Sequence, residues 1–401
     1  MLLKNCRIEG LDGLRCVRIV GEKVSEIGPS LVENLNEQVF DAKGCLLTAS
    51  LVEPHAHLDK AFLAERIDNP TGDLMGAIRA MESGRDLITV ADTIDRAERA
   101  VRLMAKNGVT AIRTHADVTS ENLLDSVDAL LEVRKRTKDI VDIQICALLG
   151  WPLSGREGKE NLARGRRAIE MGVDILGGCP HLDVDPIGAN LALLELAGEL
   201  DCALDLHTDE HTSVDRVSVE HLADSIIKSG FRQSVTASHC VSLGMQNPSD
   251  QKRISEKMAT AKIGVVALPH TNLFLQGRNQ PTAPPRGLTA ISQLRKSGVR
   301  VAVGADNLQD PFNPIGRGDP LESAGLMILA AHYLPSDAFA SVSSVARDIL
   351  GIATSGPKVG ENADLMLTSV ANVREAIATT PAREMVIKGG KVVFSRLSRS
   401  S

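Results

Sequence analysis

Short, nearly continuous apolar runs recur through the middle of the chain, each followed by a loop and a segment of helical periodicity. The runs are Leu46–Leu58, Val109–Val118, Ile143–Leu149, Val173–Leu182, Ala203–His207, Val235–Cys240, Ile263–Leu268 and Val301–Ala305. Rich in Val, Ile, Leu and Ala and with little alternation, they fit parallel strands covered on both faces. Between them, Ile94, Ala97, Val101 and Met104 mark one helical stripe, and Gly108 stands where a C-cap would stop it. Leu123, Val127 and Leu130 form another, and Val219, Leu222 and Ile226 precede Gly230 in the same way. Eight strands alternating with helices predict an α/β fold of the (β/α)8 barrel type. A doubly wound open sheet is the alternative, but no GxGxxG follows a first strand.

The two ends differ from the middle. Cys16–Val20, Val24–Ile27, Leu365–Thr368, Met385–Lys388 and Lys391–Phe394 look like short strands broken by polar residues, with Gly389-Gly390 as a hairpin turn. The expected organisation is a discontinuous small β-sandwich domain, 1–48 and 358–401, beside a catalytic barrel, 49–357.

Charge and composition narrow the function. The 401 residues carry a formal net charge of −6, with one Trp, one Tyr and seven Phe. A phosphate-tracking protein needs a positive footprint, and single-strand binders offer aromatic platforms; neither is present, so no nucleic-acid partner is expected. No apolar run has the roughly 20 residues of a spanning helix, and the first residues lack the apolar core of a signal peptide, so no membrane partner is expected. Seven scattered cysteines without a CxxC point to a reducing, cytoplasmic compartment. The exposed helix faces permit a homo-oligomer.

The histidines carry the chemistry. His55, His57, His115, His181, His207, His211, His239 and His270 lie at or just past the ends of expected strands; only His221 and His332 do not. In such a barrel the C-terminal strand ends form the active site. In Pro54-His55-Ala56-His57 the period-2 alternation of a strand turns both imidazoles to one side, where they can share a divalent ion. His207-Thr208-Asp209-Glu210 follows the fifth run, His239 the sixth and Asp306 the eighth. Three imidazoles and a carboxylate suit Zn or Fe, and ligand type does not separate them.

These segments resemble the amidohydrolase superfamily, in particular its cytosine deaminase branch and the triazine-ring enzyme N-isopropylammelide isopropylaminohydrolase. The resemblance rests on EPHAHLDK (53–60), IRTHADV (112–118), DIQICAL (142–148), LDLHTDEH (204–211), VTASHC (235–240), LFLQGR (273–278) with PPRG (284–287), and VGADNLQDPFNPIG (303–316). It covers nearly the whole chain. It implies that His55, His57, His207 and Asp306 hold a single metal ion, that Glu210 shuttles protons, and that His239 supports a metal-bound hydroxide, with Asp306 also accepting its proton. The implied activity is hydrolytic removal of an exocyclic amino group from a small nitrogen heterocycle. Hydrolysis of a cyclic amide, a ureide or an N-alkylamino-triazine is the alternative within the superfamily, and a non-catalytic small-molecule binder the alternative outside it.

Two departures bear on the substrate. Two-metal members bridge their ions through a carboxylated lysine at the end of strand four, where this chain has Gly177-Gly178-Cys179. The glutamine by which cytosine deaminases contact the pyrimidine after strand three is replaced in Gly150-Trp151-Pro152, and Asn307 stands where those deaminases have a second Asp. Trp151 could stack on a ring or reshape the wall, and Phe312 falls near the same mouth. Lys60 could reach substrate or form a salt bridge beside Asp59. Gln276 and Arg278 could meet ring oxygens. His115 could support the ligands or simply pack.

Overall fold

The computed structural model describes residues 1–398. Eight parallel strands form one sheet in sequential order: β1 (Leu51–Ala56), β2 (Val109–Val118), β3 (Asp142–Leu149), β4 (Ile175–Gly178), β5 (Ala203–Thr208), β6 (Val235–His239), β7 (Gly264–Ala267) and β8 (Val301–Val303). Closure between β8 and β1 occurs at the upper rim. There Asp306 N donates to the His55 carbonyl at 3.0 Å and His57 N donates to the Asp306 carbonyl at 2.9 Å. The buried Glu53 carboxylate joins the same strands, accepting from Ala305 N at 3.0 Å and His55 N at 3.3 Å. This closure makes the sheet a barrel and rules out the open doubly wound alternative.

Helices cover the outside of the barrel, and the main core lies between them and the strands. The helix Val90–Lys106 shows the local logic. Thr89 caps it by accepting from Asp92 N, and Ala97, Val101 and Met104 turn inward. It stops at Gly108, whose φ of +91° is left-handed and whose Cβ would stand 2.7 Å from Met366 Sδ.

The first apolar run corrects an expectation. Leu46–Leu58 is not one strand but two: Leu46–Ala49 pairs antiparallel with Leu365–Thr368, and only β1 enters the barrel. Ser50 marks the exchange of partners, its N–H donating to the Asp364 carbonyl and that of Leu51 to Gly108. Both halves are buried, so hydropathy alone does not show the break.

The chain ends build two four-stranded sheets around a shared core that includes Leu3, Val17, Phe40, Leu365 and Ile387. The strands Leu2–Cys6 and Val39–Asp41, absent from the sequence reading, pair in parallel. Gly389 and Gly390, at φ +53° and +73°, make the hairpin turn, and a Cβ at Gly390 would collide with the Gly21 carbonyl. Among the described residues no helix is long and apolar enough to cross a membrane.

Candidate active site

The strand ends deliver the predicted ligands to one point. His55 and His57 leave β1, His207 leaves β5, and Asp306 follows β8. Their ligand atoms all lie within 4.8 Å of one another, and all four side chains are buried. His57 Nε2 is 3.1 Å from His207 Nε2 and 3.2 Å from Asp306 Oδ1, while His55 Nε2 is 3.5 Å from that oxygen. His55 Nε2 has no hydrogen-bond partner. Burying a bare imidazole lone pair is costly unless it meets a donor or a metal, so this donor set fits a divalent ion. Burial opposes ionisation of Asp306, but the imidazoles of His55, His57 and His239 crowded against it outweigh that and hold the carboxyl well below its usual range.

Two of these strand ends turn through left-handed backbone: φ is +66° at His239 and +68° at Asp306. Non-glycine residues adopt this region at a cost on the order of 1–3 kcal/mol each, and such strain concentrates at functional sites. Here it turns both side chains back across the barrel mouth.

Next to the cluster lie two further buried titratable groups, Glu210 and His239. Glu210 is buried and 3.5 Å from His239 Nδ1. Burial first, then the nearby Asp306 charge, pushes its carboxyl well above the ordinary range. Burial also pulls His239 down to about 3, keeping the ring neutral. Asn272, on the helix Pro269–Leu275 after β7, touches both: its Nδ2 is 3.5 Å from Glu210 Oε1 and 3.1 Å from His239 Nδ1. Facing a carboxylate, that nitrogen must donate. His239 Nδ1 is then an acceptor and the ring proton sits on Nε2, which points at Asp306 Oδ2 from 3.9 Å. His239 thus presents an N–H to the centre. The adjacent Asp209 serves a different end: its carboxylate accepts from Ser218 N and Val219 N, anchoring the helix Val219–Ser229.

A buried relay orients His55. Its Nδ1 is 2.9 Å from Ser238 Oγ, and Ser238 donates to Asp205 Oδ1 at 2.9 Å. Because the serine proton is committed to Asp205, its oxygen accepts from Nδ1–H, which leaves the Nε2 lone pair free for a metal. Partners of this kind typically tune metal affinity about 10–100-fold. Ser238→Ala is therefore expected to weaken metal binding by roughly that factor, measured by competition with a chromophoric chelator.

A cavity of about 360 Å³ opens onto the cluster. Its walls include Lys60, Trp151, Asn307 and Phe312 among the residues expected to meet substrate. Lys60 is paired with Asp117 at 2.6 Å and lies 3.1 Å from His57 Nδ1. Burial opposes its charge, but Asp117 and Asp59 prevail and raise the ammonium above its normal range. Asn307 bonds Asp310 at 2.8 Å and accepts from Thr271 at 3.1 Å. Gln276 is not a cavity wall: its amide donates to the Glu210 carbonyl at 3.2 Å. His115 stacks on His55 with ring centroids 4.0 Å apart.

Sequence reasoning missed Asp205, Ser238, Asn272 and Asp117. For Asp205 a signal existed, since it lies two residues before His207 and shares its face of β5.

The profile of the amidohydrolase family matches residues 63–394. A pterin deaminase of Rhizobium rhizogenes is 32% identical over 359 residues, 88% of this chain and 82% of that protein. An N-isopropylammelide isopropyl amidohydrolase of a Pseudomonas species is 26% identical over 98% of this chain and 96% of its own length. The crystal structure of 5-methylcytosine deaminase from Klebsiella pneumoniae with 5-fluorocytosine superposes with a TM-score of 0.90, at 28% identity, over 99% of this chain and 98% of that one. This chain belongs to the amidohydrolase family.

Proposed function

We propose that the protein is a metal-dependent aminohydrolase that releases ammonia from an amino-substituted nitrogen heterocycle of pyrimidine, triazine or pterin type. The observation that carries this reading is the convergence of His55, His57, His207 and Asp306 within 4.8 Å, with Glu210 and His239 beside them. One divalent ion, Zn or Fe, is the expected cofactor. Its contribution would be to make a water acidic enough to serve as nucleophile near neutral pH. A single ion agrees with the end of β4, where a Cβ at Gly177 would stand 2.6 Å from both the Asp205 carbonyl and Cys146 Sγ, leaving no room for a bridging lysine.

The remaining steps belong to side chains. Glu210 removes a proton from the attacking water and hands it to the ring nitrogen next to the reacting carbon. Its raised affinity for a proton makes the intermediate acid form stable at neutral pH. His239 donates its Nε2–H to the oxygen entering the ring, and Asp306 balances the positive charge of the centre. Glu210, again ionised, then takes the remaining proton of that oxygen as the oxo group forms and passes it to the amine, which leaves as ammonia. In this reading the barrel unit, 49–357, carries the chemistry and the β unit, 1–48 and 358–401, supports it; positions 399–401 lie outside the described residues. Seven free cysteines support a cytoplasmic setting.

Incubating the metal-loaded protein with such amines should release ammonia and give an oxo product with the ring intact, followed by coupled assay and mass spectrometry. Ring opening instead would favour cyclic-amide hydrolysis and overturn the proposal.

A further inference from the structure

The cavity has two unlike sides. Glu210, His239 and Asn272 descend from β5, β6 and β7, so the proton machinery occupies that half of the barrel mouth. The opposite half, above β1 to β3, has a polar floor that includes Lys60, Asp117 and Asn122, and an apolar wall beside it. Leu74, Ile78 and Met81 reach the cavity from the helix Leu74–Ser83, joined by Ile88 and by Trp151 after β3. Asp73 caps that helix by accepting from Gly76 N at 2.7 Å, which fixes the face it turns to the mouth.

Size and charge limit what belongs there. At about 360 Å³ the cavity is the size of sites that take drug-sized ligands, larger than one ring with an amine and an oxo group requires. The rim carries Glu82 and Glu121, and Arg85 is already engaged by Asp125 at 2.6 Å and by the Ile88 carbonyl at 2.9 Å. A phosphorylated substituent would meet carboxylates and no unpaired cation on this rim. The leaving amine must face Glu210, so any extension of the ring points across the mouth toward Trp151.

Resting on the aminohydrolase reading, we infer that the substrate ring carries an apolar extension, a fused second ring or a hydrocarbon substituent, on the side opposite its amine. Trp151 and the helix Leu74–Ser83 form the subsite for it. Burying even one added methylene in such a pocket changes kcat/KM by roughly 10–200-fold. The subsite therefore selects strongly for extended rings.

The test compares kcat/KM of the metal-loaded enzyme on a monocyclic aminopyrimidine, its fused bicyclic analogue, its ring-alkylated form, its N-alkylated amine and a phosphoribosylated derivative. At least a 10-fold preference for the bicyclic or ring-alkylated amine is expected. Ile78→Asp, and separately Met81→Gln, should lower the ratio of extended to bare substrate, which corrects for any general loss of folded enzyme. Trp151, the only tryptophan in the chain, offers a readout free of turnover: the deaminated bicyclic product should quench its fluorescence, and the monocyclic product should not. Equal kcat/KM for bare and extended rings, or a gain confined to the N-alkylated or phosphoribosylated compounds, overturns the inference and leaves the aminohydrolase reading standing. No ammonia from any of these amines overturns the aminohydrolase reading and this inference with it.

Discussion

Glu210→Gln is expected to lower kcat by about 10²–10⁴-fold, the usual value of a positioned acid–base group, without loss of bound metal. The amide is nearly isosteric and can still accept from Asn272, which lies 3.5 Å from Oε1. It can neither take a proton from water nor return one to the ring. Since Glu210 is not among the four converging ligand atoms, metal content should be unchanged. The sign of the pH effect follows from the raised proton affinity of the carboxyl, caused first by burial and then by Asp306. Wild-type kcat/KM should fall as pH drops and Glu210 takes up the proton that stops it acting as a base toward water, and the variant should lack that limb. Elemental analysis together with a pH–rate profile checks both parts. Near-full activity in Glu210→Gln would remove the shuttle from the mechanism.

The convergence of His55, His57, His207 and Asp306 was legible in the sequence because its signal is local. A strand of period 2 aims His55 and His57 together, and barrel topology collects strand ends at one rim. The supporting residues depend on contacts across the barrel. Ser238 to His55 spans β6 to β1, and Asn272 reaches Glu210 from a helix after β7. No spacing along the chain encodes such pairs. Gln276 shows the converse: it lies in a suggestive loop, yet its amide is spent on a backbone carbonyl. The break at Ser50 was hidden for a third reason, since burial is continuous while the hydrogen-bonding partner changes.

The largest stability effect is expected below the active site. Arg113, fully enclosed within β2, donates to Asp205 Oδ2 at 2.9 Å, to Thr236 Oγ1 at 3.1 Å and to Gln144 Oε1 at 3.0 Å. Removing one member of a buried pair leaves the other charge uncompensated and typically costs about 3–5 kcal/mol. Arg113→Met should therefore destabilise the fold by about that amount, seen as a lower urea midpoint. Asp205 also holds the Ser238 proton, so two roles meet in one carboxylate, and a second substitution separates them. In Arg113→Met/Asp205→Leu no bare charge remains, and part of the lost stability should return. Ser238 then lacks its acceptor, His55 loses its fixed tautomer, and metal affinity should stay about 10–100-fold weak. Recovery of both properties together would mean that Asp205 only balances Arg113. Recovery of stability alone would assign it the second task of directing the His55 lone pair to the metal centre.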